Sequence, residues 1–253
     1  MSSDGAPLGG RVAVVTGALG RLGPSLVDAL ADAGATVVGL DLRSEGAVLE
    51  ADVLDRAALE AARASIEREH GVPSVLVNAA GIDQPPEAGS TTFRIEDVPL
   101  DDFRRTVDVN LAGVFNACQV FGSAMRDAGR GSIVNIGSLY ATVAPDPTLY
   151  EHLDVDPPFL KPAAYGASKA GVLQLTRYLA RLWGPSGVRV NALSPGGVAG
   201  DQDAEFLRKY TARVPLGRMA ALGDLAGPLV FLASDASGYV TGQEVRVDGG
   251  FTA

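Results

Sequence analysis

Tyr165 and Lys169 stand four residues apart in the segment 161–183, whose apolar residues recur at helical spacing. Pro162 suits the first turn of this predicted helix, and Gly184-Pro185 ends it. A helix places the phenol and the ammonium on one face, where the positive charge favours the phenolate. A tyrosine whose pKa falls below its usual value of about 10 can act as a general acid or base. An isolated pair of this spacing also fits a partly buried tyrosine beside a solvated lysine, so the chemistry requires partners.

A glycine turn follows the first predicted strand, residues 11–16. It contains Gly17, Gly20 and Gly23 and leads into a helix that is predicted to end near residue 33. Such glycines let the backbone approach a pyrophosphate, and the helix N-terminus offers N–H groups and a positive dipole end. An ordinary tight turn between a strand and a helix has the same pattern, so the turn alone is weak evidence.

The strand predicted at 35–40 ends in Asp41, twenty-four residues after Gly17. A carboxylate at this place can accept hydrogen bonds from the adenosine ribose hydroxyls, and it repels the 2′-phosphate of NADP. Asp41 therefore favours NAD. Arg43 and Arg21 could instead meet a 2′-phosphate, so NADP stays open as the less favoured cofactor.

The rest of the chain alternates short apolar runs with amphipathic segments, which predicts an α/β fold. Further strands are predicted at 47–51, 75–78, 132–137, 187–194 and 244–248, and further helices at 55–70, 101–126, 203–212 and 225–233. Asn110 lies inside a helix that asparagine does not favour. Ser138 follows the strand 132–137, at the carboxyl end where an open α/β sheet places its ligand crevice. Cys118 is predicted to be a core residue.

Composition excludes several classes of function. The 253 residues contain 21 Lys and Arg against 30 Asp and Glu, a net charge of −9, so a nucleic-acid partner is not expected. The first residues lack a basic-then-apolar leader and no apolar run reaches the length of a membrane span, which predicts a cytoplasmic protein without a membrane partner. His70 and His152 belong to no metal-ligand motif, so no metal site is expected. We expect one domain over residues 1–253, with residues 1–10 flexible.

Together these motifs resemble the short-chain dehydrogenase/reductase family over residues 11–250. The matching motifs are TGALGRLG at 16–23, Asp52-Val53, NAAG at 78–81, Asn110, Ser138, Tyr165-x-x-x-Lys169, SPGG at 194–197 and VDGG at 247–250. Any one of them is common, whereas the ordered set is highly specific. The resemblance implies a Rossmann-type, doubly wound, mainly parallel sheet of seven strands with helices on both faces. It also implies a homotetramer or, alternatively, a homodimer.

The resemblance assigns a role to each matching residue. Tyr165 would exchange the proton on the substrate oxygen, and Ser138 would hydrogen-bond that oxygen. Lys169 would lower the tyrosine pKa and bind the nicotinamide ribose, and Asn110 would hold a water that continues the proton path. The implied cofactor-binding residues, besides Tyr165 and Lys169, are Gly17, Gly20, Arg21, Leu22, Gly23, Asp41, Asp52, Val53, Asn78, Ala79, Gly81, Pro195, Gly196, Gly197 and Val198.

The chain departs from the family pattern in three places. Arg21 stands where the usual turn has its second glycine. This spacing is more typical of extended members such as sugar-nucleotide epimerases. Those proteins normally have a separate substrate-binding region, so the length of 253 residues weakens this interpretation. Gly200 replaces a threonine that often contacts the nicotinamide amide. Ser138 and Tyr165 are 27 residues apart, a longer interval than usual, so residues 139–162 form an insertion.

The insertion is rich in proline, acids and aromatics, which predicts an ordered loop beside Ser138. Our hypothesis is that it forms a substrate wall or lid, with residues 199–218 closing the other side; a surface elaboration or subunit contact is the alternative. The candidate substrate residues are Tyr140, Tyr150, Glu151 and His152. This region is similar to short-chain dehydrogenases of polysaccharide and surface-sugar biosynthesis, which points to a polyol or sugar-like substrate.

The sequence thus predicts an NAD-dependent oxidoreductase that transfers a hydride between the cofactor and a secondary alcohol or ketone. One alternative is an NADP-dependent 3-oxoacyl reductase. The other is a non-catalytic protein that senses dinucleotides, although such a protein has no need of the complete set of Asn110, Ser138, Tyr165 and Lys169.

Overall fold

The structure, a computed structural model, describes residues 5–83 and 93–253. Its strands are β1 Val12–Thr16, β2 Thr36–Asp41, β3 Val48–Glu50, β4 Val75–Asn78, β5 Gly131–Ile136, β6 Val188–Pro195 and β7 Glu244–Val247. They form one seven-stranded sheet in the order β3-β2-β1-β4-β5-β6-β7. Every pairing is parallel, which confirms the predicted doubly wound sheet. All the carboxyl ends therefore lie along one edge.

The helices alternate with the strands. They are α1 Gly23–Asp32, α2 Arg56–His70, α3 Leu100–Val107, α4 Gly113–Ala117, α5 Ser123–Asp127, α6 Ala163–Trp183, α7 Ala204–Thr211 and α8 Ala226–Ala233. Helices α3, α4 and α5 run end to end through π-helical turns at Asp108–Ala112 and Cys118–Gly122, so the helix predicted over 101–126 is one helical segment with two π turns. Helix α6 begins one residue after Pro162, which caps it rather than lying in its first turn as predicted.

Strand β1 shows how one sheet builds a core on each face, because its successive side chains point in opposite directions. Val12 and Val14 pack with α2, with the helical segment 100–127 and with α6. Ala13 and Val15 pack on the other face with α1 and α8. Cys118 is fully buried in the first of these cores, as predicted, and burial raises the pKa of its thiol to about 12.

Leu8, within the segment 1–10 that was expected to be flexible, makes contacts with the rest of the fold. Leu8 is fully buried against α1, and its N–H donates to the Ala33 carbonyl at 2.9 Å. The hydrophobic contact therefore ties this segment to the sheet. Residues 1–4 lie outside the described residues.

The insertion at 139–162 is an ordered loop, as predicted, with two short 3₁₀ turns at Leu139–Ala141 and Pro147–Leu149. It packs on α7 in a third apolar cluster. Five aromatic rings form a row across this contact, and the centroids of neighbouring rings are 5.0 to 5.6 Å apart. Their order is Phe159, Tyr150, Phe206, Tyr210 and Phe251. The insertion and α7 together form one wall of the cavity described in the next section, and we call this wall the roof.

Candidate active site

A cavity of about 770 Å³ opens at the carboxyl edge of the sheet. Residues that follow β1, β2, β4, β5 and β6 line its floor, and the roof lines its outer side. This is the crevice in which the sequence predicted a ligand.

The glycine turn forms one end of the cavity. Gly17 has a φ of +69°, and a Cβ there would lie 2.6 Å from the Ala80 Cα, so the turn requires glycine on both grounds. Gly20, Arg21 and Leu22 line the cavity, and α1 begins directly after them with neither a side-chain cap nor an acidic residue in its first turn. This helix end favours an anion. Gly23 does not line the cavity; it permits close packing, because its Cβ would lie 2.3 Å from the Gly17 carbonyl oxygen.

Asp41 ends β2 beside this turn. Its carboxylate accepts hydrogen bonds from the N–H of Leu19 at 2.9 Å and from the N–H of Leu42 at 2.8 Å. These two bonds fix the Asp41 carboxylate at the cavity wall, which Asp52, Val53 and Arg43 also line. The predicted ribose-binding end of the site is therefore assembled in one place.

Asn78 does not line the cavity, and its predicted contact with the cofactor stays a prediction. Its side chain points into the core, donating to the Asn135 Oδ1 at 2.8 Å and to the Cys118 Sγ at 3.3 Å. Asn135 in turn donates to the Thr176 hydroxyl at 2.9 Å, which ties β4 and β5 to α6. The wall of the cavity is formed instead by the residues that follow Asn78, which include Ala79 and Gly81.

Tyr165, Ser138 and Lys169 meet on the cavity wall, as predicted. Helix α6 supplies Tyr165 and Lys169, and Ser138 follows β5. The Ser138 side chain lies beside the Tyr165 phenol, close enough to favour the phenolate. The Lys169 Nζ lies 5.8 Å from the centre of the Tyr165 ring and donates to the Ile136 carbonyl at 2.8 Å. The Tyr165 phenol, the Ser138 hydroxyl and the buried Lys169 ammonium therefore lie close together on this wall.

The pKa of Tyr165 does not follow the expectation that Lys169 lowers it. Burial raises the pKa of the Tyr165 phenol, the negative charge of Asp83 raises it further, and the Ser138 side chain only partly opposes these effects. Burial also lowers the pKa of Lys169 to about 8, with Asp83 opposing. The desolvation that disfavours the phenolate also disfavours the ammonium, so the protein without ligand holds a neutral phenol.

Asn110 is fully buried in the first π turn and does not line the cavity. Its amide accepts from the Ile82 N–H at 2.7 Å and donates to the Ile82 carbonyl at 2.9 Å and to the Ser168 hydroxyl at 3.3 Å. Asn110 thus fixes the chain after β4 against α6. Its predicted role in holding a water stays a prediction.

The roof brings two of the predicted substrate residues to the cavity. Tyr140 and Tyr150 both line it, and each influences the pKa of the other. His152 and Glu151 do not line it. His152 contacts Asp203 at 3.0 Å and Glu151 contacts Lys209 at 3.3 Å, so both residues hold the insertion to α7.

Other cavity residues were missed by the sequence analysis. The Lys161 Nζ lies 2.5 Å from the Asp83 carboxylate and 5.3 Å from the centre of the Tyr165 ring. The Tyr210 hydroxyl accepts from the Gly197 N–H at 2.5 Å and so fixes the loop after β6. The four-residue interval from Lys161 to Tyr165 was a possible signal, but α6 begins after Lys161 and the partner Asp83 is distant in sequence.

The loop after β6 forms the wall opposite the glycine turn. Pro195, Gly196, Gly197 and Val198 line the cavity, and their predicted contact with the nicotinamide stays a prediction. Arg21 reaches this loop and donates to the Val198 carbonyl at 2.7 Å. The Arg21 guanidinium is therefore engaged by the Val198 carbonyl, whereas the Asp41 carboxylate accepts from the Leu19 and Leu42 N–H groups.

Two family models match the chain, one described as short chain dehydrogenase over residues 11–150 and one described as Enoyl-(Acyl carrier protein) reductase over residues 156–252. The D-threitol dehydrogenase of Mycolicibacterium smegmatis is 37% identical, with 97% of this chain and 94% of that protein aligned. The chain belongs to the short-chain dehydrogenase family. It is an NAD(P)-dependent oxidoreductase that acts on CH–OH groups.

Two solved structures of the short-chain dehydrogenase family share the fold. A short-chain dehydrogenase from Leptospira borgpetersenii with bound NAD⁺ has a TM-score of 0.86 at 33% identity, covering 99% of this chain and 95% of its own. A gluconate 5-dehydrogenase from Burkholderia cenocepacia, in complex with NADP and tartrate, has a TM-score of 0.85 at 32% identity, covering 100% of this chain and 99% of its own.

Within the described residues, no helix is both long and apolar enough to cross a membrane.

Replacing Lys169 by methionine should stabilise the protein at pH 7 by about 1–3 kcal/mol, because it removes a buried charge. The folded-state pKa of about 8 lies below the ordinary value of 10.5, so the unfolded chain binds more protons between those pH values. Wild-type stability therefore rises with pH in that window, and the gain from K169M should shrink there. Urea unfolding at pH 7 and pH 10 measures both effects.

Lys209→Met is the matched control, because Lys209 bonds Glu151 and the Thr148 carbonyl at the surface. It should give no gain at either pH. A Lys169→Met gain that is absent at pH 7, or that grows at pH 10, would contradict the buried, destabilised ammonium.

Proposed function

We propose that this short-chain dehydrogenase transfers a hydride between NAD(H) and a secondary hydroxyl of a polyol or sugar-like substrate. We also propose that the chain forms one domain and that it acts in the cytoplasm. The observation that carries the proposal is the convergence of Ser138, Tyr165 and Lys169 in one cavity with the glycine turn and Asp41. Asp41 would hold the adenosine end of a dinucleotide in this cavity, and Tyr165 would serve its nicotinamide end.

The residues present fit a dinucleotide. Gly17 leaves no space for a side chain beside the groove, and the uncapped α1 N-terminus suits a diphosphate. Asp41 suits the adenosine ribose, and its negative charge favours NAD over NADP. Asp52 and Val53 would border the adenine. Pro195, Gly196, Gly197 and Val198 would border the nicotinamide. When bound, the dinucleotide supplies the acceptor or donor of the hydride.

The side chains on the wall would handle the proton and the developing oxyanion. Tyr165, protonated in the protein without ligand, would donate its proton to a carbonyl oxygen during reduction. During oxidation it would first lose that proton to solvent, and the resulting phenolate would accept the proton of the substrate hydroxyl. Ser138 would donate a hydrogen bond to the same oxygen and stabilise its negative charge. The Lys169 ammonium, held by the Ile136 carbonyl, would stabilise the phenolate that forms and contact the nicotinamide ribose.

The cavity under the roof suits a small, hydroxyl-rich substrate. Tyr140 and Tyr150 place phenol hydroxyls on its outer wall, and the Asp83–Lys161 pair adds an acceptor and a donor without net charge. Each of these groups can hydrogen-bond a neutral polyol. The named activity of the related D-threitol dehydrogenase supports the same substrate class.

We further propose a homotetramer. Large apolar side chains are exposed on α4 and α6, where Phe115, Tyr178 and Leu182 are between 43% and 64% exposed. Multi-angle light scattering should therefore give about four times the 26.0 kDa chain mass. A mass of one chain at micromolar concentration would refute this assembly.

Tyr165→Phe should lower kcat for NAD⁺-dependent oxidation of threitol by about 10²–10⁴-fold, because the proton acceptor is lost. The NADH dissociation constant should stay nearly unchanged, since the ring and Lys169 remain. Absorbance at the nicotinamide band measures the rate, and fluorescence titration measures the binding. Tyr239→Phe, at a fully exposed tyrosine, is the control and should match the wild type. Turnover that survives in Y165F would refute the assigned acid–base residue.

Asp41→Asn should improve the affinity for NADPH relative to NADH by roughly tenfold, because it removes the repulsion between the carboxylate and the 2′-phosphate. Paired titrations of both dinucleotides against wild type and variant give the ratio. Asp32→Asn, at the end of α1, is the control and should leave the ratio unchanged. A wild type that prefers NADPH would contradict the assignment of NAD.

A further inference from the structure

The contact between Arg21 and Val198 joins two distant parts of the cavity wall. The guanidinium follows β1 and the carbonyl follows β6, and these strands are three positions apart in the sheet. At about 4.8 Å per strand, the ends of β1 and β6 are separated by roughly 14 Å. The segments that follow β1 and β6 must therefore approach each other beyond the strand ends, and the Arg21 side chain bridges them.

Gly200 provides the space for this contact. A Cβ at Gly200 would lie 2.3 Å from the Arg21 Nη2 and 3.0 Å from its Cζ. The φ of Gly200 is not positive, so its backbone conformation would accept alanine. The position of the guanidinium, rather than backbone strain, is what requires glycine there.

The loop that Arg21 holds is fixed on its other side by backbone bonds. The Ala199 N–H donates to the Ala220 carbonyl at 2.8 Å, and the Ala220 N–H donates to the Gly197 carbonyl at 2.9 Å. Gln202 closes the loop on itself by donating to the Val198 carbonyl at 3.1 Å. Arg21 adds the tie on the side that faces the glycine turn.

We propose that Arg21 is a positioning residue for the dinucleotide, and that Gly200 is its matched partner. The tie between Arg21 and Val198 fixes the wall that borders the nicotinamide half, so the groove is formed before the dinucleotide enters. A wall that is already ordered saves the dinucleotide the entropy of ordering it. This inference rests on the proposed dinucleotide site and adds a coupled residue pair to it.

The test compares Arg21→Ala, Gly200→Ala and the double variant. Adding a methyl group at Gly200 displaces the flexible end of Arg21, so each single variant breaks the same tie. Each should weaken NADH binding by about tenfold, equivalent to about 1.4 kcal/mol. The double variant should bind NADH no more weakly than either single variant. Affinity for AMP, which occupies only the adenosine end, should change less than about twofold.

Two matched substitutions control for generic effects. Arg130→Ala removes an exposed arginine, and Gly227→Ala adds a methyl group where no atom lies within 4 Å. Both should bind NADH and AMP as the wild type does. Gly200 is exposed, so G200A carries the test even if R21A fails to fold.

Several results would overturn the proposal. G200A binding like the wild type while R21A is weakened would show that Arg21 acts through its own charge and not through the tie. A double variant about 100-fold weaker would show independent effects. Equal losses of AMP and NADH would show general damage to the turn. A wild type that binds neither NADH nor NADPH would remove the proposed function together with this inference, whereas normal wild-type binding confines a failure to the tie.

Discussion

The rest of the active site depends on the burial of one ammonium group. Lys169 is only 5% exposed, and its Nζ donates to the backbone carbonyl of Ile136. A buried charge with so few partners is destabilising, so the surrounding structure must hold it in place. The apolar face of α6, which packs on the sheet through Val172, Leu179 and Trp183, provides that support. The same packing brings Tyr165 to the cavity wall.

The second requirement is a roof that shapes the cavity without closing it to a polar substrate. The aromatic file through the insertion and α7 keeps the roof in one position, and ion pairs such as Lys209 with Glu151 hold its outer side. Its inner side presents hydroxyls, because Tyr140 and Tyr150 point toward the groove. The apolar contacts thus position the insertion, while its phenols give the cavity its chemical character.

Much of this arrangement could be predicted from the sequence, because it follows local rules. Alternating apolar runs and helical periodicity predicted the α/β order, and the positions of Gly17, Asp41 and Ser138 at strand ends placed them at one edge. Features that depend on packing could not be predicted in this way. The inward direction of Asn78 depends on Asn135 and Cys118, which reach it only in the folded sheet.

The pKa of Tyr165 and the contacts of Arg21 depend even more on the tertiary structure. The spacing of Tyr165 and Lys169 correctly predicted their proximity, but depth of burial sets the direction of both pKa shifts. Asp83 and Lys161 are 78 positions apart, and Arg21 and Val198 are 177 apart, so no local pattern reveals either contact.

Deuterium transfer tests the central claim, which is hydride transfer from a secondary carbon to a nicotinamide in this cavity. The enzyme would be incubated with NAD⁺ and threitol deuterated at its secondary carbons, and the dinucleotide would be recovered and examined by proton NMR. The wild type should form NADH with deuterium at C4 of the nicotinamide ring, and Y165F should not. Recovery of unreduced NAD⁺ from a wild type that binds NADH, with threitol and with longer polyols alike, would contradict the claim.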